Sequence, residues 1–238
     1  MLTFDFDKIH PLCLQFGVEL TPEIRERLTK YGNLLAEWNE KMNLTAICDS
    51  EGILYKHFFD CLLFFKSFKI PQNAKVIDVG TGAGFPGMVL KIVRPDIELT
   101  LLDGLNKRLI FLNEVLEQLG LSAQTVHLRA EDGGKNPLYR EKFDIATARA
   151  VAALPVLCEY CLPFVKKGGS FVAMKGASGE EEAESAQNAI KLLGGKTESI
   201  LNETLTGNEE RTFVVIKKIS QTPPKYPRSG GKIAKCAL

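Results

Sequence analysis

Apolar residues change their period at one place in the chain. Upstream of Pro71, Ile24, Leu28, Tyr31, Leu34, Leu35 and Trp38 recur at helical spacing. Thr21-Pro22-Glu23 ahead of them offers an N-cap, a proline at the first helical position and an early acid. His57 to Phe68 predicts a second, aromatic-rich helix, and Pro71-Gln72-Asn73 ends the helical region. Beyond Lys75 strands and helices alternate. Strands are predicted at 76–79, 97–102, 124–128, 143–148, 169–174, near 197–204 and at 211–218. The clearest intervening helix carries Leu105, Leu109, Leu112, Leu116 and Leu119 at steps of four and three. Such alternation predicts a mostly parallel sheet covered on both faces, with ligands at the carboxyl ends of its strands. The Gly207-Asn208 connection before the last strand is too short for a parallel crossover, so an antiparallel hairpin is expected to close the sheet. The chain thus divides into a helical N-terminal extension over 1–72, an α/β domain over 73–220 and a tail over 221–238.

The first predicted strand runs into VIDVGTGAGFPG, residues 76–87. Gly80, Gly82, Gly84 and Gly87 mark a turn too tight for side chains, where a ligand approaches the backbone. Read from Gly82 the spacing satisfies G-x-G-x-x-G, a weak match to a dinucleotide site. Asp103 ends the second strand, where a carboxylate can accept both ribose hydroxyls of an adenosine group. Dinucleotides and S-adenosylmethionine share that ribose, and neighbouring residues separate them. Pro86 removes a backbone N–H that a pyrophosphate would want, and Asp78 adds negative charge suited to an ammonium and a sulfonium. Two further strand ends carry Arg129-Ala130-Glu131-Asp132, able to read an adenine edge, and Thr147-Ala148-Arg149-Ala150, facing the reacting group. Singly, each has a plain structural explanation, such as a turn cap or a surface ion pair. Together they mark four successive strand ends as one site.

Composition narrows the class. The 238 residues are 45% hydrophobic and 25% charged, enough for a full core. No apolar run approaches the roughly 20 residues of a membrane span, and the acids in MLTFDFDKIH argue against a secretory leader, so a cytoplasmic protein is expected. The six cysteines show no disulfide or zinc framework, and Cys158-Glu-Tyr-Cys161 reads as two thiols sharing a buried helix face. No metal is expected. Residues 211–238 hold seven basic residues and no acid, whereas the other 210 carry a balance of −6. That split suggests a polyanionic partner, with Lys225, Arg228, Lys232 and Lys235 as candidate phosphate contacts; the plain alternative is a solvated terminus.

Taken in order, the motifs resemble those of the RsmG (GidB) methyltransferases. They are WNEKMNLTAI at 38–47, HFFD at 57–60, DVGTGAGFPG at 78–87, LLDGLNKRLIFL at 101–112, RAED at 129–132, ARAVAAL at 148–154, MKG at 174–176 and KYPRSGG at 225–231. The resemblance implies a class I S-adenosylmethionine-dependent methyltransferase fold, Rossmann-like, with a seven-stranded, mostly parallel sheet whose last strand is antiparallel. It implies methylation at N7 of a guanine in small-subunit ribosomal RNA, with that RNA or the small subunit as partner and no membrane or obligate protein partner. It also implies that Gly80 and Phe85 line the S-adenosylmethionine pocket, that Ala130 and Glu131 contact the adenosine end, and that Arg149 flanks the methionine end nearest the reacting centre. No catalytic base is expected, because guanine N7 carries a lone pair and no proton. A small-molecule methyltransferase and a non-catalytic RNA-binding or assembly protein are the alternatives.

Overall fold

A computed structural model describes residues 1–205 and 209–238. The expected Gly207-Asn208 connection lies outside the described residues. Among these, seven strands form one sheet: β1 (Lys75–Val79), β2 (Glu98–Asp103), β3 (Gln124–His127), β4 (Phe143–Arg149), β5 (Val165–Lys175), β6 (Gly195–Thr204) and β7 (Glu210–Lys218). Their order is β3-β2-β1-β4-β5-β7-β6. The first five pair in parallel, and β7 lies antiparallel between β5 and β6. The hairpin expected from the short connection is therefore present, with β6 at the edge. β5 starts four residues earlier than expected from Gly169. The backbone crosses Gly168 at φ +85°, and its register with β4 shifts there, so a glycine pair that reads as a break is carried within the strand.

Side-chain alternation splits the core between the two sheet faces. Val76, Leu99, Leu101, Ile145 and Val172 pack with the N-terminal helices, whereas Ile77, Leu102, Ala146, Phe171 and Val214 pack with later ones. On the first face the helix Pro22–Met42 buries Leu28, Tyr31 and Leu35, each worth roughly 1.5–3 kcal/mol of apolar burial. Thr21 caps it by accepting from the Ile24 N–H. Residues 1–72 share this core with the sheet.

The second predicted helix is longer and less regular than its pattern suggests. Helical turns begin at Ser50, and Ile53–Phe59 is π-helical before α-helical turns resume at Asp60. The wider π turn lets His57 and Asp60 meet the end of β4, and single-turn π segments often mark functional sites. Register aligns the strand ends that carry the site: Asp78 lies beside Thr147, Val79 beside Leu102, and Arg149 beside Met174.

Candidate active site

The turn after β1 is strapped from beneath. Asp78 is fully buried, and its Oδ2 accepts from the Thr81 hydroxyl at 2.7 Å and the Gly87 N–H at 2.9 Å. Its Oδ1 is, among the described residues, the buried side-chain oxygen without a partner. Burial pushes this carboxyl up to about 6, against the pull of the two hydrogen bonds.

The glycines have different tasks. Gly82 has φ +61°, and a Cβ there would meet nothing closer than 4.0 Å. Its face is open. Gly84, at φ +101°, is a packing glycine instead: a Cβ would lie 2.6 Å from Tyr31 Oη and 2.7 Å from Leu112 Cδ2. Gly80 has φ +70°, and Val151 from the loop after β4 lies over it.

Asp103 ends β2 beneath Gly82. Its Oδ2 accepts from the Gly82 N–H at 2.9 Å and Arg108 Nη1 at 3.2 Å, and its Oδ1 from the Leu105 N–H at 2.8 Å. A carboxylate has about four acceptor positions, so holding two ribose hydroxyls requires Arg108 to move. Arg108 is exposed enough to do so. An open glycine turn, a carboxylate at the second strand end and an unpartnered buried oxygen near the first fit S-adenosylmethionine.

Ala130 and Glu131 begin the short helix Ala130–Gly133 after β3, both half-buried. The end of the chain reaches them, which no sequence feature announces. A Cβ on Gly230 would collide with Glu131 Oε1, and one on Gly134 would lie 3.1 Å from Pro227. Arg140 fixes this return by donating to the Thr222 and Tyr226 carbonyls. Arg228 also belongs to this docking. Its guanidinium grips the fully buried Glu159, with Nη2 2.7 Å from Oε2, and donates to the Cys236 carbonyl. Its charge is paired with Glu159 while its side chain stays partly exposed. Lys225, Lys232 and Lys235 are exposed.

Phe85 is 5% exposed, stacked on His57 at 4.4 Å, with the Arg149 guanidinium 4.9 Å from its ring centre. It joins the glycine turn to the groups around Arg149. Arg149 ends β4, and the next residue, Ala150, has φ +55°, a conformation that costs a non-glycine residue about 1 kcal/mol or more. Arg149 Nη1 donates to Asp60 Oδ2 at 2.7 Å and to the Lys56 carbonyl at 2.9 Å, and Nη2 lies 3.2 Å from His57 Nδ1. The other Asp60 oxygen accepts from Arg211 Nε at 2.9 Å. One buried carboxylate thus joins the end of β4 to the start of β7. His57 Nε2 is 2.9 Å from the Thr45 hydroxyl. Burial and the Arg149 charge lower this imidazole to about 4, so it is neutral.

These groups border a cavity of about 330 Å³ at the ends of β4 and β5, with Ile47 and Met174 as apolar lining and Lys56, Arg149, Lys175 and Arg211 as cations. Lys56 pairs with Glu209 and Lys175 with Glu182. Sequence reading placed Arg149 here but gave no role to Thr45, His57, Asp60 or Arg211. The available signal was HFFDCLLFF, in which a histidine and an aspartate interrupt an otherwise buried helix. Cys158 and Cys161 are buried free thiols on one helix, as expected, and no cluster of metal-ligating side chains occurs among the described residues. Nor is any described helix long and apolar enough to cross a membrane.

A family model described as rRNA small subunit methyltransferase G matches residues 24–213. A protein named ribosomal RNA small subunit methyltransferase G from Acetivibrio thermocellus is 54% identical over 94% of this chain and 92% of its own. A namesake from Clostridium perfringens is 47% identical over 98% of both. Among solved structures, the fibrillarin pre-rRNA processing protein of Methanococcus jannaschii has a TM-score of 0.52 at 15% identity, over 66% of this chain and 73% of that one. TrmN from Thermus thermophilus has a TM-score of 0.53 at 17% identity, over 70% of this chain and 53% of that one. Both share the fold.

Proposed function

The chain belongs to the rRNA small subunit methyltransferase G family, and from that premise we propose that it methylates N7 of a guanine in small-subunit ribosomal RNA in the cytoplasm, using S-adenosylmethionine. One observation carries the choice of N7. Among the described residues the cavity beside the glycine turn has polar groups but no free base: both His57 nitrogens are engaged, and Asp60 is shared between two guanidiniums. A hydroxyl or amino acceptor would have to lose a proton, whereas N7 offers a lone pair that needs none. When bound, S-adenosylmethionine supplies a methyl group on a sulfonium that departs as a neutral thioether.

The chain's own residues hold the two reactants in line. Asp78, Gly82 and Asp103 hold the cofactor, Ala130 and Glu131 border its adenosine, and Arg149 borders the cavity in which the base lies. Ala150 and Gly176 in its lining are small and leave room for a planar ring. Positioning in a water-poor pocket is the source of rate. Lys225, Lys232 and Lys235 supply charge for the RNA backbone.

The test is to incubate the protein with methyl-labelled S-adenosylmethionine and with small-subunit RNA, intact small subunits or a metabolite extract, and to map N7-methylguanine. Label at N7 of one guanine in RNA or subunit is expected. Label only in metabolites, or RNA binding without label, would replace this reading with a small-molecule enzyme or an assembly protein.

A further inference from the structure

After β7 the chain returns to the helix Ala130–Gly133 and is fixed on the way. Arg140 donates to the Thr222 carbonyl at 2.7 Å and the Tyr226 carbonyl at 2.8 Å. Arg228 then holds buried Glu159 through its backbone N–H at 2.6 Å, Nε at 3.0 Å and Nη2 at 2.7 Å. The anchored segment delivers Gly230 onto the Glu131 carboxyl group. Resting on the function proposed above, in which Glu131 borders the adenosine, we infer that the C-terminal segment is a positioning element of the cofactor site: Arg228 anchors it, Gly230 walls in the Glu131 carboxylate, and docking of the segment and binding of the cofactor strengthen each other.

The helix that carries Glu131 is seated beside the second strand end. Asp103 pairs in register with His127, and a Cβ on Gly104 would lie 3.0 Å from Arg129 Cδ. A Cβ on Gly133 would lie 3.0 Å from both Leu102 and Phe164. The backbone around Glu131 is thus fixed to the sheet, whereas its side chain is half-buried. Among the described residues its carboxylate has no hydrogen bond or ion pair, so the wall that Gly230 makes is what limits its rotamers. A side chain restricted in advance loses less freedom when a ligand arrives. Burial, and then the charges of Glu131 and Glu159, push the Tyr160 phenol above its ordinary value, so the anchor and the walled carboxylate share one neighbourhood.

Gly230 and Gly231 separate space from backbone. Both stand in the helix Gly230–Lys235, and neither has a left-handed φ, so alanine would suit the backbone better at each. A Cβ on Gly231 would meet nothing within 4 Å, whereas one on Gly230 would collide with Glu131 Oε1 and stand 3.1 Å from its carboxyl carbon. The glycine at 230 therefore answers to Glu131. Coupling of this kind is reciprocal: whatever the docked segment adds to cofactor affinity, the cofactor returns to docking. That segment carries the exposed Lys225, Lys232 and Lys235, so the cofactor-loaded protein holds its basic end in one place.

Calorimetry with S-adenosylhomocysteine, the demethylated product, tests the inference on wild type, Gly230→Ala, Gly231→Ala, Glu131→Ala and the Glu131→Ala/Gly230→Ala double variant, with melting temperatures alongside. Gly230→Ala moves only the far end of a flexible side chain, and should keep the wild-type melting temperature yet weaken binding by about fivefold or more. Gly231→Ala should bind within about twofold of wild type, and in the Glu131→Ala background Gly230→Ala should add less than about twofold. Trypsin supplies the reciprocal reading: saturating S-adenosylhomocysteine should slow cleavage after Lys225 and Lys232 by about threefold or more in wild type, and by less in Glu131→Ala at equal saturation. Equal affinities for folded Gly230→Ala and Gly231→Ala overturn the inference, as does equal protection of wild type and Glu131→Ala. Wild type that binds no S-adenosylhomocysteine would instead sink the functional reading on which the inference rests.

Discussion

Asp78 is a residue whose stability and function pull in opposite directions. Its carboxyl, ordinarily near 3.8, is raised to about 6 by burial. A raised carboxyl favours the protonated folded protein, so its contribution is fully present below the unfolded value and is lost as pH climbs through about 6. Asp78→Asn keeps an acceptor for Thr81 and Gly87 and removes the buried charge. The variant should therefore be more stable than wild type at pH 7.5, by up to roughly 3 kcal/mol, with little difference at pH 4. Urea denaturation at the two pH values checks the sign. The same change should weaken S-adenosylmethionine binding by about 1.5–3 kcal/mol, because the cofactor's ammonium loses its anion. An affinity that survives would reduce Asp78 to a strap of the turn.

At the scale of an element, the turn after β1 is shaped jointly by cofactor space and by the helix Pro22–Met42. Gly82→Ala puts a methyl group into open space at a strained φ, costing stability about 1 kcal/mol but cofactor affinity about tenfold or more. Gly84→Ala drives a methyl group into Tyr31 and Leu112, and should cost about 2–4 kcal/mol of stability. Thermal melts and calorimetry on both variants separate the roles. Equal effects on binding would mean that the turn responds as a unit. Tyr31 reaches the turn a second time by donating its hydroxyl to the Ala83 carbonyl, which ties an element of the extension to the cofactor loop.

The whole molecule closes on itself through its basic end. Arg228→Ala leaves buried Glu159 without its cation, with only the backbone N–H of residue 228 as a donor, and should destabilise by about 3–5 kcal/mol, with tryptic cleavage rising around Lys225 and Lys232 as the segment lifts. Replacing Lys225, Lys232 and Lys235 together with alanine should leave stability alone and flatten the salt dependence of RNA binding by roughly 0.7–0.9 in log–log slope per lost contact. Equilibrium binding over a salt series measures it. A slope that matches wild type would mean that RNA is held elsewhere, with the cations around the Arg149 cavity next in line.

Local pattern determined most of the architecture. Period-two strands, the helical spacing of Leu105 to Leu119 and the glycine punctuation after β1 are short-range signals, because backbone geometry sets them within a few residues. Asp103 and Arg149 were legible for the same reason, since a polar residue at the carboxyl end of a predicted strand has one place to go. Tertiary structure decided what depends on who meets whom. Gly82 and Gly84 look alike in sequence, yet one faces open space and the other Tyr31, 53 positions upstream. Arg228 reads as a free cation until Glu159 is brought beneath it, and Asp60 reads as a helix polar residue until β4 and β7 deliver two arginines to its oxygens. A charge is defined by its neighbours, and neighbours far apart in sequence are assembled only by the fold.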